Sequence, residues 1–168
     1  MKGLGALLVL LGAVLGGAGL CRERRKRQRL LRDLIQGLTL ILGELQLHAA
    51  PLGEVLSAAE RAAGGAGTFF AAVRESMELL GEESFSDLWK REAEERLSAL
   101  PAAARDELVR LGAILGRVDL ESETEGIAAC RNTLTAQLET ERAQTPGFQK
   151  LTLGLCACAG ALLAIILF

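Results

Sequence analysis

Tyrosine is missing from this sequence, histidine and tryptophan occur once each, and aromatic residues make up 4% of the chain. Such a chain has no supply of flat side chains on which nucleic-acid bases could stack in succession. A single histidine, His48, excludes histidine-rich metal sites and leaves a histidine-based nucleophile relay without support. It stands where a helix is expected to end, a place where an imidazole stabilises the last carbonyls. The lysine of a phosphate-binding loop is lacking too. The glycine cluster Gly64–Gly67 leads into Thr68 and Phe69, not into Lys-Ser or Lys-Thr at a helix start. The chain is therefore not expected to be a nucleotide-driven motor. Nothing between 22 and 149 alternates with period two for long enough to suggest a strand.

Charge of one sign is also absent overall, with 19 Lys and Arg against 21 Asp and Glu and a formal net charge of -2. That balance makes no case for a nucleic-acid partner. The four cysteines, Cys21, Cys130, Cys156 and Cys158, match no zinc-ligand spacing. Cys156 and Cys158 sit two apart in an apolar helix and point to nearly opposite faces. The cysteines are read as small hydrophobes, not as redox or metal groups. An acidic group, Asp119, Glu121, Glu123 and Glu125, lacks the glycine turn and the terminal pattern of a calcium loop. Carboxylates at a helix start are expected on dipole grounds alone. No cofactor, metal or catalytic set is expected.

What is present is apolar length at both ends; hydrophobic residues are 50% of the chain. Gly3–Leu20 carries no charge, and about 18 helical residues span roughly 27 Å, close to the bilayer core. Behind Cys21 come Arg22, Arg24, Arg25, Lys26, Arg27 and Arg29, the basic flank that resists translocation. A cleaved signal peptide would need small residues at its cleavage site, and the lipoprotein form is contradicted by Leu20 just before Cys21. Export would also have to carry the basic block across. Leu151–Phe168 is a second uncharged run, flanked by Lys150. The expected organisation is an N-terminal transmembrane anchor over 1–21, a cytoplasmic helical domain over 22–149 and a C-terminal anchor over 150–168, with both termini outside. The basic block is sufficiently explained by topology; attraction to anionic headgroups follows from it, and nucleic-acid binding has no reading element to accompany it.

The middle reads as an all-α bundle of about six helices. Leu31, Leu34, Leu38, Ile41, Leu42 and Leu45 recur at threes and fours, a helix continuing from the first anchor, in which Gly37 and Gly43 permit close approach of a neighbour. Pro51 suits the first position of a second helix, ended by Gly64–Gly67. Thr68 is expected to cap a third, with Phe69, Phe70, Val73, Met77 and Leu80 on one side and Gly81 closing it. Ser84 to Asp87 resembles a capping box opening a fourth helix, with Phe85, Leu88, Trp89, Ala93, Leu97 and Leu100 inward. Its charged face, including Glu92, is expected to be solvated. Pro101 starts a fifth with Leu108, Leu111, Leu115 and Val118 inward and Gly112 and Gly116 four apart. A sixth buries Ile127, Cys130, Leu134 and Leu138 before Thr145-Pro146-Gly147 breaks the chain.

Taken together, this order resembles the stage III sporulation protein AB family. The resemblance rests on the anchor with its basic exit, Leu34–Leu38, Glu44-Leu45, Ala50–Leu56 and Phe85–Trp89, and most specifically on Leu111-Gly112-Ala113-Ile114-Leu115-Gly116-Arg117-Val118-Asp119 with a terminal anchor beyond. Where the family tends to place a serine before the aspartate and a glutamine after it, this chain has Val118 and Glu121-Ser122-Glu123.

The resemblance implies a non-enzymatic platform component, similar to the F-type proteins of type II secretion, in the apparatus connecting mother cell and forespore. Its implied place is the mother-cell membrane around the forespore. Its implied partners are the bilayer, other sporulation channel proteins and a cytoplasmic secretion-type ATPase. The expected contact edge is Arg117, Asp119, Glu121 and Glu123, set by packing of Gly112 and Gly116. A membrane-anchored adaptor in an unrelated transport or signalling complex would share every residue-level feature; an accessory subunit of an ion or solute channel is the other alternative, against which neither span carries an ionisable residue apart from cysteine.

Overall fold

The leucines that recur at threes and fours after residue 30 form one face of a helix far longer than the amphipathic stretch itself. The computed structural model describes the backbone of residues 2–48, 50–79, 81–115 and 119–167, and the side chains of 22–47, 50–78, 81–115 and 119–143. Among the described residues there are six α-helices and no strand: α1 (Lys2–His48), α2 (Leu52–Ala62), α3 (Gly67–Ser76), α4 (Phe85–Arg96), α5 (Ala102–Gly112) and α6 (Leu120–Leu167). Short 3-10 turns cover Gly64–Ala66 and Met77–Leu79.

The chain divides into two compact units, one formed by Met1–Lys26 with Thr140–Phe168 and the other by Arg27–Glu139. Among the described residues no helix is long and apolar enough to cross a membrane. The anchors expected over 1–21 and 150–168 have helical backbone over 2–21 and 150–167, and their side chains lie outside the described residues.

The Arg27–Glu139 unit is built around α1. Leu31, Leu34, Leu38 and Ile41 are buried against Val55, Leu56 and Ala59 of α2 and Phe69, Phe70 and Val73 of α3. Trp89, Ala93, Leu108 and Leu111 join from α4 and α5, and Ile127, Cys130, Leu134 and Leu138 from α6. Each fully buried leucine contributes about 1.5–3 kcal/mol. At Gly37 α1 packs closely on a neighbour: a Cβ there would lie 2.5 Å from Phe70 Cε2 and 3.1 Å from Ala63 Cβ. Gly43 has no such role, since nothing stands within 4 Å of a Cβ built on it.

Several boundaries differ from the sequence reading, each for a local reason. Thr145-Pro146-Gly147 does not break α6, whose backbone is helical from Leu120 to Leu167. A proline removes one interior hydrogen bond and crowds one carbonyl, which kinks a helix as readily as it ends it. Thr68 is not a cap. Helix α3 begins one residue earlier at Gly67 with Ala66 before it, and the Thr68 hydroxyl donates back to the Gly65 carbonyl at 3.4 Å. Gly67 allows this start because a Cβ on it would meet the Glu60 carbonyl oxygen at 2.4 Å.

Pro51 and Pro101 stand one place before the helices they were expected to open. Their carbonyls accept the first helical bonds, from Glu54 N at 2.9 Å and Ala104 N at 3.0 Å. Ser84 caps α4 as expected, since Asp87 N donates to Ser84 Oγ at 3.2 Å; the second contact is between side chains, Ser84 Oγ donating to Asp87 Oδ2 at 2.6 Å. Helix α5 ends at Gly112 in a turn, short of the expected reach to Val118; Val118, like Leu80, lies outside the described residues.

Candidate functional site

The last turn of α5, which leads toward α6, rests on Trp89. Its Nε1 donates to the Leu108 carbonyl at 2.7 Å in a buried bond, which satisfies the one polar group of the indole. Phe69 meets the ring edge-on at 4.9 Å and 83°. Gly112 lies directly on this ring, since a Cβ would fall 2.3 Å from Trp89 Cδ1 and 2.6 Å from Cγ. The glycine thus lets the last turn of α5 pack on the indole. Beyond it the chain turns through Ile114 N to Leu111 O at 2.9 Å and Leu115 N to Leu111 O at 3.0 Å. Gly126 receives Ile114 the same way, with both Ile114 Cδ1 and Cγ2 3.1 Å from a would-be Cβ.

On this footing stands the acidic start of α6. Asp119 Oδ1 accepts from Glu121 N at 3.2 Å, and the Ser122 hydroxyl donates to Asp119 Oδ2. The Ser122 hydroxyl, with lesser help from the backbone N–H groups of Glu121 and Ser122, holds the Asp119 carboxyl below its ordinary 3.8. Asp119, Glu121 and Ser122 are exposed and Glu123 is half-buried. Leu120 stands among them with 43% of its surface open, one of two large hydrophobic side chains left exposed among the described residues. The result is an acidic edge with one exposed apolar side chain. Gly116 and Arg117, expected to belong to it, lie outside the described residues.

The basic residues after the first apolar run are sorted by the helix that carries them. Arg22, Arg25, Lys26 and Arg29 are exposed, while Arg24 and Arg27 are half-buried. Arg27 turns inward and donates from Nε to the Ala99 carbonyl at 3.2 Å, just after α4.

Two polar devices escaped the sequence reading. Glu92, expected on a solvated face, is 7% exposed. Its Oε1 accepts from Ser76 Oγ at 3.2 Å and its Oε2 from Arg96 Nε at 3.0 Å, with Arg91 Nε 3.6 Å from Oε1. It follows Trp89 by three residues, so it shares the inward side of α4 and needs these partners to be buried. The second is Asp33 on α1, whose Oδ2 accepts from Gly65 N at 2.9 Å. Gly64 beside it takes φ +47°, and Asp33 Oδ2 lies 3.0 Å from where a Cβ would stand. The sequence signal for this contact was only the glycine cluster itself.

A shallow cleft of about 540 Å³ is lined by Glu44, Ala50, Glu54, Ser57, Arg61 and Arg74 among others. Arg74 is paired with Glu60 at 3.2 Å. Among the described residues no group of His, Cys, Asp or Glu could hold a metal ion.

Comparison with known proteins decides the relationship. The sequence model of the family described as stage III sporulation protein AB matches residues 2–168. The chain belongs to that family. A solved structure titled stage III sporulation protein AB is similar at a TM-score of 0.64, with 20% identity over 73% of this chain and 98% of the other. At that identity the likeness speaks for the stage III sporulation protein AB fold. The search of curated proteins returns no match. Family membership therefore rests on the sequence model, and the helical architecture on the solved relative.

Proposed function

We propose that the chain is a non-enzymatic, membrane-tethered component of the apparatus joining mother cell and forespore, and that its helical unit docks a cytoplasmic secretion-type ATPase. The observation that carries a sporulation role is the family match across residues 2–168. Tethering is supported by the uncharged runs 3–20 and 151–168 with Arg22–Arg29 and Lys150 as flanks, which favours a cytoplasmic middle in the mother-cell membrane around the forespore. Docking through a surface edge is supported by the fixed, charged start of α6, where exposed Leu120 lies between Asp119 and Glu121. Exposed charges of one sign steer a complementary partner to the edge and fix its register.

The test is crosslinking and affinity purification from membranes of sporulating cells, with the tag placed in the Arg27–Glu139 unit. A secretion-type ATPase should be recovered, with crosslinks at 119–123. Reversing charge at Asp119 and Glu121 together should lower its recovery at least fivefold while leaving the bait abundance unchanged. If an intact bait brings down other proteins and no ATPase, a membrane-anchored adaptor in another complex replaces the docking reading.

A further inference from the structure

Helix α2 carries opposite charges two turns apart on its outer side, with small residues between them. At about 100° per residue, Glu54, Ser57, Ala58 and Arg61 share one arc, while Leu56 and Ala59 lie on the other side and are buried. Glu54 and Arg61 are exposed, Ser57 and Ala58 are half-buried, and all four line the cleft of about 540 Å³. Gly53 lines it too, and nothing stands within 4 Å of a Cβ built there. A second helix can therefore come close to the α2 backbone over this stretch.

Among the described residues neither Glu54 nor Arg61 is in an ion pair. Arg61 Nε donates only to the Ser57 carbonyl at 3.3 Å, and Arg74, on the same cleft, is taken by Glu60. The dipole of α2 favours an acid in its first turn and a base in its last. That accounts for the two signs, but not for the small centre or the open cleft above it. The outer face of α4, by contrast, bears Lys90, Glu94 and Glu95, all exposed.

The spacing makes this face complementary to itself. The midpoint of Glu54 and Arg61 falls between Ser57 and Ala58. A two-fold axis through that point turns a second α2 antiparallel to the first and sets Glu54 of each copy against Arg61 of the other. Parallel pairing in register sets like charge on like charge instead, which costs several kcal/mol. The face thus holds both halves of one contact, and the occupant it fits is a second copy of the chain.

We infer that two copies associate through α2, antiparallel about a two-fold axis between Ser57 and Ala58, with Glu54 of each paired to Arg61 of the other. Helix α2 has 11 residues, about three turns, and one such face is smaller than the roughly 800 Å² per partner of a standard interface. The pair therefore forms where a membrane concentrates the copies, and not in dilute solution. This rests on the membrane-tethered reading of the chain.

The experiment uses the full chain, labelled with a donor or an acceptor fluorophore and co-reconstituted in phosphatidylcholine vesicles. Förster transfer is followed as added lipid dilutes the protein. Wild-type transfer should exceed that of randomly spread copies and fall reversibly on dilution. E54R and R61E alone should each weaken association at least about tenfold, since like charges then meet at both ends of the contact. Mixed together, the two variants should associate with each other within about threefold of wild type, as should E54R/R61E with itself, because opposite charges meet again. Circular dichroism checks that the variants keep their helix content.

Single reversals that leave association untouched, or a mixture that fails to restore it, overturn the two-fold contact. Flotation on a density gradient separates this from the underlying reading. A chain that floats yet shows only random transfer is tethered without pairing, which overturns the inference alone. A chain that does not float loses the tether, and with it the contact that depends on membrane density.

Discussion

At the scale of single residues, glycine acts in opposite ways in this fold, and the surroundings decide the sign. Gly112→Ala would gain helix propensity of up to about 1 kcal/mol, but its Cβ would press on Trp89 near Cγ and Cβ, close to the indole's own backbone. Trp89 is also pinned by its bond to Leu108. Overpacking of this kind costs about 1–3 kcal/mol and wins. Gly43→Ala meets nothing and should stabilise by about 0.5–1 kcal/mol. Urea midpoints followed by circular dichroism should move in opposite directions; a G112A midpoint at or above wild type would show that the indole can yield.

Cys130 supplies a residue-scale pH dependence. Burial, with a smaller contribution from the Glu107 charge, pushes its thiol from an ordinary 9.0 to about 12. The unfolded chain therefore loses its proton first as pH rises. Stability present below about pH 9 drains away between about 9 and 12, at up to about 1.4 kcal/mol per pH unit from this group. Between pH 8 and 10.5 the wild type should lose about 1–2 kcal/mol more than Cys130→Ala. Parallel decline of the two proteins would mean that the thiol ionises freely in the fold.

At the scale of elements, the two hydroxyl residues expected as caps divide cleanly. Ser84 accepts Asp87 N, so Ser84→Ala should cost about 1 kcal/mol. Thr68 holds only a long bond back to Gly65 O, and Thr68→Ala should stay within about 0.5 kcal/mol. Thermal melts of the two variants check this, and a larger loss at Thr68 would restore it as a cap.

The same contrast explains what the sequence could reveal. Leu31 to Leu45, Phe69 to Val73 and Ile127 to Leu138 repeat at threes and fours, and that period alone identifies their buried faces. Helix ends were harder to read. The Pro51 and Pro101 positions differ by one residue according to which carbonyl begins the ladder, and a Thr-Pro-Gly run is compatible with either a break or a continued helix. Glu92 was illegible for another reason: its burial depends on Ser76 from another element and on two arginines turning toward it. At the candidate edge, Gly112 and the acidic run were visible in sequence, but the indole beneath the glycine was not, because Trp89 lies on a different helix.

At the scale of the whole molecule, the division at Arg27 and Glu139 is a statement about cooperativity. Among the described residues the core joining α1 to α6 is contained within those limits. A fragment spanning 27–139 should fold alone and melt in a single concentration-independent transition by calorimetry. A broad melt, or one that sharpens with concentration, would show that the terminal unit is needed to complete the core.

The solitary indole gives this molecule an internal light source. With one tryptophan in 168 residues, all of the near-ultraviolet emission excited at its red edge comes from Trp89, shielded from water and met by three phenylalanine rings. Its colour and lifetime therefore describe the packing of one place, the seat of Gly112, whatever helices elsewhere are doing. In a lipid preparation, where apolar helices keep their ellipticity under conditions that melt a water-facing bundle, that emission would report the bundle alone, while the ellipticity would sum both. A docking protein that loosens or tightens the α5–α6 junction would announce itself by a change in that emission, with no label attached.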